Sequence, residues 1–361
     1  MLNQLDGPRR GERIARVVLV VFAVLLTAAI VGRFIKVEYV VVSPGPAINT
    51  LGERDAGSPV VRVKGAKTYK TDSELYFTTV NVLGGPGRRI SVWEWGSGVL
   101  DPDARVVPEG EVFRGDGSGE NVDAVNAELM QASEETAAAV ALRSLGKDVP
   151  RENVVTKVIK GMPADGTLHS QDVILSIDGA RPGSRQDLAA AIGDLKVGEE
   201  VRIVVRRDGH EKTVTLEATG IGGGKTGIGA GIESEYNYPF EVSIDAGKVG
   251  GPSAGMMLAL AVRDRLTPGV MAGGESIAGT GTISDSGKVG PIGGIQMKMV
   301  GAQEAGAEWF LAPQANCSDV VGNVPEGLKV VTVADYHDAV SAVDSIAEGE
   351  TDALSSCEDM G

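Results

Sequence analysis

A serine in a glycine-rich segment is the first residue of this 361-residue chain whose setting could support chemistry. Gly251, Pro252, Ser253, Ala254 and Gly255 fit the pattern G-x-S-x-G, and an apolar stretch that predicts a helix follows at once. A glycine-rich loop that ends at a helix N-terminus leaves backbone N–H groups free to hold an oxyanion, and the helix dipole adds positive potential. Ser253 is therefore a candidate nucleophile, with Gly251, Pro252 and Ala254 as the candidate oxyanion loop. The alternative is that Ser253 only caps the helix.

A lysine further along the chain could supply the base that a serine needs, because a serine hydroxyl is a weak nucleophile at neutral pH. Lys298 falls in a predicted helix over 294–305, beside the apolar residues Ile295, Met299 and Ala302. Burial would lower the pKa of the lysine and leave a neutral amine to act as a base. A lysine at the edge of an apolar face can instead extend to solvent, which is its more usual arrangement.

A serine–histidine–acid triad is a second way to activate Ser253. Asp319 and His337 follow the serine in the chain order of α/β-hydrolases. That fold needs an apolar strand that runs directly into the serine, whereas residues 247–250 read Gly-Lys-Val-Gly. The setting of His337 is also more typical of a helix start, so this alternative is the weaker one.

Several other functions are disfavoured by motif and composition. Gly224, Lys225 and Thr226 resemble the end of a phosphate-binding loop, but Thr219 stands where that motif has its first glycine and no helix pattern follows. The sequence therefore does not support ATP use. A net charge of −15 disfavours nucleic-acid binding. Three histidines and two cysteines lack the spacing of a zinc site, so no metal or cofactor is predicted.

The start of the chain differs from the rest in charge and hydropathy. Residues 17–32 are uncharged, with Thr27 as their only polar side chain, and arginines flank them on both sides. With its apolar neighbours, this run can cross a bilayer of about 30 Å, and the arginines before it predict a cytoplasmic N-terminus. We expect a cytoplasmic tail over 1–13, an uncleaved membrane anchor over 14–36 and an extracytoplasmic remainder. A cleaved signal peptide is the alternative, although no good A-x-A site follows the run.

The middle of the chain predicts three segments. Residues 37–120 form a β-rich region that could complete the catalytic domain, and 121–146 form a helical connector. Residues 150–218 then predict strand, turn, strand, helix and hairpin, with the turn G-M-P-A-D-G followed by D-V-I-L-S-I-D-G. This order and these motifs resemble a bacterial PDZ domain, which implies capture of an extended peptide by strand addition. The peptide-clamping loop should precede the first strand, where Leu145 and Gly146 are the candidates.

The last third of the chain alternates strands with helices and holds the serine and the lysine in two blocks. The first block is G-P-S-A-G, and the second contains T-G-T-I and P-I-G-G, with the lysine four residues after the last glycine. Over residues 228–347 these blocks resemble the proteolytic domain of the Lon family. The resemblance implies that Ser253 is the nucleophile, Lys298 the general base, and Thr280 the residue that positions the lysine. The chain departs from many ATP-dependent relatives at Gly250, where those enzymes carry an acid.

Together these segments predict an α+β multidomain protein: a transmembrane helix, a PDZ-like β-rich domain, a Lon-type α/β proteolytic domain and an acidic tail over 348–361. This order is similar to that of membrane-anchored YlbL-type peptidases. It implies an ATP-independent serine endopeptidase of the cell membrane that acts on unfolded or extended protein substrates outside the cytoplasm. Assembly into a homo-oligomer, known among Lon relatives, is left open. The non-enzymatic alternative is an inactive PDZ-containing membrane adaptor.

The two cysteines, Cys317 and Cys357, are either free thiols or a disulfide that ties down the acidic tail. An exported domain favours the disulfide, because oxidising compartments let such bonds persist.

Overall fold

The structure, a computed structural model, describes residues 10–53, 57–113, 122–182 and 185–360. Parts of five predicted segments lie outside the described residues: 1–9 of the cytoplasmic tail, 54–56 and 114–120 of the β-rich region, 121 of the helical connector, 183–184 of the PDZ-like domain and Gly361 of the acidic tail. The chain divides into two compact units. The larger comprises Met1–Arg62, Lys67–Val140 and Ser243–Gly361, and the smaller comprises Val63–Ala66 and Ala141–Val242.

The helices in the described part of the chain have the following bounds: α1 Arg10–Phe34, α2 Val92–Leu100, α3 Glu109–Val112, α4 Val122–Ser144, α5 Arg185–Gly193, α6 Gly255–Leu266, α7 Ile295–Glu304, α8 Cys317–Val320 and α9 Tyr336–Glu348. The strands have these bounds: β1 Lys36–Val37, β2 Tyr39–Asn49, β3 Val61–Lys64, β4 Glu74–Leu83, β5 Ile90–Ser91, β6 Arg105–Pro108, β7 Arg151–Val158, β8 Val173–Ile177, β9 Glu200–Arg207, β10 His210–Glu217, β11 Thr219–Gly222, β12 Lys225–Gly227, β13 Ala230–Tyr236, β14 Glu241–Ile244, β15 Ser276–Gly279, β16 Thr282–Ile283, β17 Val289–Gly290, β18 Trp309–Pro313 and β19 Lys329–Val333.

Helix α1 covers most of the predicted anchor. Within the described residues it is the one helix that is long and apolar enough to cross a membrane, over Ile14–Phe34. Its apolar side chains are exposed to the surroundings rather than packed in the core. Such a surface is suited to the interior of a bilayer.

The larger unit is built on a six-stranded sheet with the strand order β19-β18-β15-β4-β2-β6. Strands β19, β18, β15 and β4 run parallel, whereas β2 is antiparallel to β4 and β6 is antiparallel to β2. Strands β2, β4 and β6 come from the region predicted as β-rich over 37–120. They share one sheet with three strands that follow the candidate serine in the chain.

Helices α6 and α7 cover opposite faces of this sheet. Ala278 in β15 belongs to a core cluster with Ile295 and Met299 of α7. The next residue, Gly279, faces α6, because a Cβ added there would lie 2.7 Å from the Sδ atom of Met257. Successive residues of a strand point to opposite faces, so the sheet separates the two helices that flank the candidate site.

The smaller unit is a five-stranded antiparallel sheet with the order β10-β9-β8-β7-β13, packed against α5. Strands β9 and β10 form the predicted hairpin, since Asp208 and Gly209 both have positive φ, 49° and 78°, as a tight hairpin turn requires. The sequence analysis does not predict β13, because its glycine-rich start is typical of a connector. In the structure β13 pairs along β7 from Ala230 to Tyr236.

A disulfide joins Cys317 and Cys357. Cys357 is buried in the same core cluster as Ala302 of α7 and Phe310 of β18. The bond therefore holds the acidic tail, near its C-terminal end, against the core of the larger unit, and of the two alternatives for the cysteines the disulfide is the one present.

Removal of this disulfide by Cys317→Ser/Cys357→Ser should lower the free energy of unfolding of the larger unit. The bond closes a loop with a sequence separation of 40 residues, and loops of this size contribute about 2–4 kcal/mol. The measurement is the urea midpoint of the detergent-solubilised chain with and without reductant. The wild type should lose stability on reduction and the double variant should not respond; equal midpoints for all four samples would contradict the prediction.

Candidate active site

The candidate serine and lysine meet just beyond the carboxyl end of β15. The loop before α6 brings Ser253 from one face of the sheet, and α7 brings Lys298 from the other. The Nζ atom of Lys298 lies 2.7 Å from Oγ of Ser253 and 2.9 Å from Oγ1 of Thr280, the first residue after β15. The carboxyl ends of parallel strands are the usual place for a site in an α/β sheet.

Lys298 is buried, with only 2% of its surface exposed. Burial lowers the pKa of its amine from 10.5 to about 7, because the charged form loses its hydration. Close packing of α7 makes this burial possible: a Cβ added to Gly301, one turn after the lysine, would overlap the carbonyl oxygen of Gly45 in β2. At neutral pH about half of these amines are uncharged and able to accept a proton.

Thr280 connects the lysine to the backbone of the serine. Its side chain is completely buried, and its Oγ1 donates a hydrogen bond of 3.0 Å to the carbonyl oxygen of Ser253. The N–H of Gly281 donates to the same carbonyl at 2.8 Å. Because the single hydroxyl proton of Thr280 is used in this way, its oxygen accepts from Lys298. One N–H of Lys298 therefore donates to Thr280, and the nitrogen still faces the hydroxyl of Ser253.

The loop before α6 is arranged for more than helix capping. The helix begins at Gly255, its N-cap residue is Ala254, and no side chain caps it. Ser253 is therefore not the capping residue that the sequence alternative describes. In the described part of the chain, the N–H groups of Ser253 and Ala254 donate to no backbone carbonyl. Two free amides at a helix N-terminus can bind a developing oxyanion.

The other residues of the predicted oxyanion loop have different partners. Pro252 has no N–H, and its carbonyl accepts from Oγ of Ser133 at 3.1 Å. The N–H of Gly251 donates to the carbonyl of Asn126 at 2.8 Å, so this amide is not free for a substrate. Ser133 and Asn126 both belong to α4, which braces the loop. Sequence reasoning missed them, since a contact across 119 residues leaves no local pattern.

An open cleft of about 580 Å³ lies over these groups. One wall is β4 from Phe77 to Asn81, and others are the serine loop and the segment from Pro291 to Gly293. Strand β15 pairs with β4 only from Glu74 to Phe77, whereas β2 continues along its other side to Leu83. Within the described residues, β4 therefore presents an unpaired strand edge to the cleft beyond Phe77.

The structure does not assemble the alternative triad. His337 is exposed in the first turn of α9, where its backbone N–H is capped by the side chain of Asp335. Asp319 lies in α8. Neither His337 nor Asp319 is among the described residues that line the cleft around Ser253.

The phosphate-loop resemblance also has a different structural setting. Gly222 and Lys225 are paired across a tight turn that joins β11 to β12, with Gly223 and Gly224 at its tip. The segment runs from strand to strand, so it lacks the helix N-terminus that a phosphate-binding loop uses.

Leu145 and Gly146, the candidates for a peptide-clamping loop, precede β7. In the described sheet of the PDZ-like unit, β7 is paired by β8 on one side and by β13 on the other, and the two edge strands are β10 and β13. A peptide added as a strand pairs with an edge strand, and β7 is not one. The role of Leu145 and Gly146 as a clamp stays a prediction.

Two family models match the chain. Residues 131–218 match the PDZ domain, and residues 235–347 match the Lon protease (S16) C-terminal proteolytic domain. The predicted PDZ and Lon-type domains are thus confirmed.

Curated relatives named as Lon proteases match about a quarter to a third of the chain. Lon protease 1 of Herpetosiphon aurantiacus is 36% identical over 94 residues, which is 26% of this chain and 11% of that protein. Lon protease 1 of Bacillus subtilis is 34% identical over 103 residues, 27% and 13% of the two chains. Lon protease of Mycolicibacterium smegmatis is 33% identical over 122 residues, 31% and 15%. The chain therefore spans only 11–15% of the length of these relatives.

Solved structures match the PDZ part. The PDZ domain of an SdrC-like protein from Listeria monocytogenes is 31% identical, covers 22% of this chain and 85% of its own, and has a TM-score of 0.22. The PDZ domain of the SdrC-like protein from Listeria innocua is 32% identical, with coverages of 22% and 92% and a TM-score of 0.22.

The two family models show which domains the chain contains. It combines a PDZ domain with a Lon-type proteolytic domain, and an apolar helix long enough to span a membrane precedes both.

The lowered pKa of Lys298 predicts how peptide cleavage depends on pH. A base must be uncharged, so kcat/KM should fall about tenfold for each pH unit below about 7 and level off above it. The measurement is the pH profile of kcat/KM for a peptide without ionisable side chains. His337→Ala should leave this profile unchanged; a profile that responds to that substitution would instead favour the histidine.

Thr280→Val tests the positioning of the lysine. The change keeps the size of the side chain but removes the oxygen that accepts from Lys298, so kcat should fall about 10²-fold with little change in KM. Thr280→Ser keeps the oxygen and should restore most of the rate. Equal rates for the valine and serine variants would show that the hydroxyl does not hold the lysine.

Proposed function

We propose that this protein is an ATP-independent serine endopeptidase that is anchored in the cell membrane and cleaves unfolded or extended proteins outside the cytoplasm with a Ser253–Lys298 dyad. One observation carries the proposal: Nζ of Lys298, buried and with a pKa of about 7, lies 2.7 Å from Oγ of Ser253. A neutral amine at that distance can take the hydroxyl proton as the oxygen attacks.

Acylation follows from the arrangement of the three side chains. Oγ of Ser253 attacks the carbonyl carbon of the scissile bond, and its proton passes to Nζ of Lys298. The lysine then returns this proton to the leaving amine as the carbon–nitrogen bond breaks. A water molecule then gives a proton to the same amine as it attacks the ester carbon, and the lysine passes this proton to Oγ as the carbon–oxygen bond of the ester breaks. Thr280 takes no part in proton transfer but keeps the nitrogen aimed at Oγ through its hydrogen bond of 2.9 Å.

The N–H groups of Ser253 and Ala254 hold the oxyanion in this mechanism. Both lie at the N-terminus of α6, where the helix dipole favours negative charge. Hydrogen bonds from Thr280 and Gly281 to the carbonyl of Ser253 fix this stretch of backbone before the substrate arrives. Donors that are already in place cost no reorganisation in the transition state.

An extended polypeptide suits the cleft. The edge of β4 from Thr78 to Asn81 lines it and has backbone groups available to pair with an incoming strand. A peptide that adds to this edge passes Ser253 and exposes its carbonyl groups to the nucleophile. A folded protein cannot offer such a strand, so we expect unfolded or extended substrates, and the PDZ unit is a second place to hold them.

The location and the lack of an ATP requirement rest on other features. Arginines precede the apolar part of α1, which favours a cytoplasmic N-terminus. The Cys317–Cys357 disulfide suits an oxidising compartment. The hairpin around Gly224 and Lys225 supports ATP independence, because it has no helix N-terminus for a phosphate.

Ser253→Ala and Lys298→Met should each lower cleavage of an unstructured protein, casein for example, by at least about 10³-fold. The assay uses the full chain in detergent or vesicles, with and without ATP, and ATP should not change the rate. The matched controls are Ser286→Ala and Lys288→Met, which alter exposed residues of the same kinds and should keep full activity.

Each contrary result has a definite meaning. Cleavage that survives Lys298→Met would overturn the dyad. A wild-type chain that is folded and inserted in vesicles but cleaves nothing would favour the membrane adaptor. Activity that appears only above a threshold protein concentration would add oligomerisation to the mechanism without removing the dyad.

A further inference from the structure

Helix α2 has an apolar face that is exposed. Trp93, Trp95, Val99 and Leu100 are exposed, with 53% of Trp93 and 85% of Leu100 accessible, and at 100° per residue they spread over about 160° of the helix surface. A soluble surface rarely displays a continuous patch of two tryptophans and two aliphatic side chains. The patch therefore needs an explanation.

The other side of α2 is fixed on the sheet. Gly98 is buried, and a Cβ added there would lie 2.7 Å from Cγ2 of Val41 in β2 and 3.0 Å from Cγ2 of Val106 in β6. The helix starts with a capping box between Ser91 and Glu94. Because Gly98 lets α2 lie this close to the sheet, the exposed side of α2 faces away from the sheet.

Helix α2 touches the end of the apolar helix α1. The indole N–H of Trp93 donates a hydrogen bond of 2.8 Å to the carbonyl of Ala29, and the N–H of Val92 donates to the carbonyl of Ile35 at 3.0 Å. A side chain at Gly32 would overlap the indole of Trp93. The tryptophan thus lies about one helical turn before Arg33, where the apolar run of α1 ends.

The patch continues around this junction and has a basic border. Trp95 stacks edge-on against Tyr39, with ring centroids 6.4 Å apart, and Phe34 at the end of α1 is also exposed. Basic side chains follow at the border and are exposed: Arg33, Lys36, Arg88 and Arg89. Aromatic rings next to cations at the end of an apolar span are typical of the lipid–water interface.

We propose that α2 lies in the lipid–water interface of the bilayer that α1 crosses, with Trp93, Trp95 and Leu100 among the headgroups and upper acyl chains. The inference rests on the proposed membrane insertion of α1. Since α2 packs on β2 and β6 of the sheet that carries the cleft, this contact fixes the orientation of the proteolytic unit on the membrane. A span alone would leave that unit free to tilt.

Tryptophan quenching by brominated lipid tests the proposal, because the chain contains only Trp93, Trp95 and Trp309. Trp309 lies in β18 and is 8% exposed. The full chain is reconstituted in vesicles with bromine on the acyl chains near the headgroups. The wild-type emission should fall about twofold, as expected for rings at the interface. The Trp93→Phe/Trp95→Phe variant, which retains Trp309, should lose less than about a tenth of its emission.

Flotation of the vesicles separates the possible results. Co-flotation after alkaline washing, with quenching in the wild type alone, supports the proposal. Co-flotation without quenching overturns the interfacial helix but leaves the anchor in place. Protection of Trp93 and Trp95 from aqueous iodide would then indicate that a second copy of the chain covers the patch. A chain that does not float overturns both the anchor and the interfacial helix. Casein cleavage by each sample reports the proposed peptidase activity separately.

Discussion

A lysine amine whose pKa burial lowers to about 7, held beside a hydroxyl, is the feature on which the proposed mechanism depends. A charged lysine would hold on to its proton and an exposed lysine would be charged at neutral pH, so Lys298 must be covered without an acid next to it. The structure meets this need by pressing α7 onto the sheet at Gly301 and by giving the amine two hydroxyl partners, Ser253 and Thr280. The depressed pKa of about 7 is the direct result.

The sheet explains why distant parts of the chain are needed for one site. Helices α6 and α7 lie on opposite faces of the sheet. Ser253, from the loop before α6, and Lys298, from α7, therefore meet just beyond the carboxyl end of β15. Strand β4, from the N-terminal half, continues beyond that point and becomes a wall of the cleft. Helix α2 packs on β2, the neighbour of β4, and on the edge strand β6. The region between the anchor and the PDZ domain is therefore both a wall of the site and the proposed seat on the membrane.

Local patterns predicted the features that depend on a few adjacent residues. The apolar run of α1, the hairpin at Asp208 and Gly209, and the two blocks around the serine and the lysine all belong to this kind. The misses have one physical cause, since they depend on pairing between remote segments. Strand β13 joins the sheet of the PDZ-like unit only by pairing with β7, which lies more than 70 residues earlier in the chain.

The residue types of the site, the helix N-terminus beside the serine and the order of the domains can be read from the chain alone, because they follow from local composition and spacing. The same patterns leave open whether Ser253 caps a helix and whether Lys298 extends to solvent. Packing in three dimensions answers both questions. Burial is a property of packing: the sheet, α7 and the backbone at Gly45 surround the amine together, whereas α4 takes the amide of Gly251 and leaves those of Ser253 and Ala254 free. No stretch of neighbouring residues contains that information.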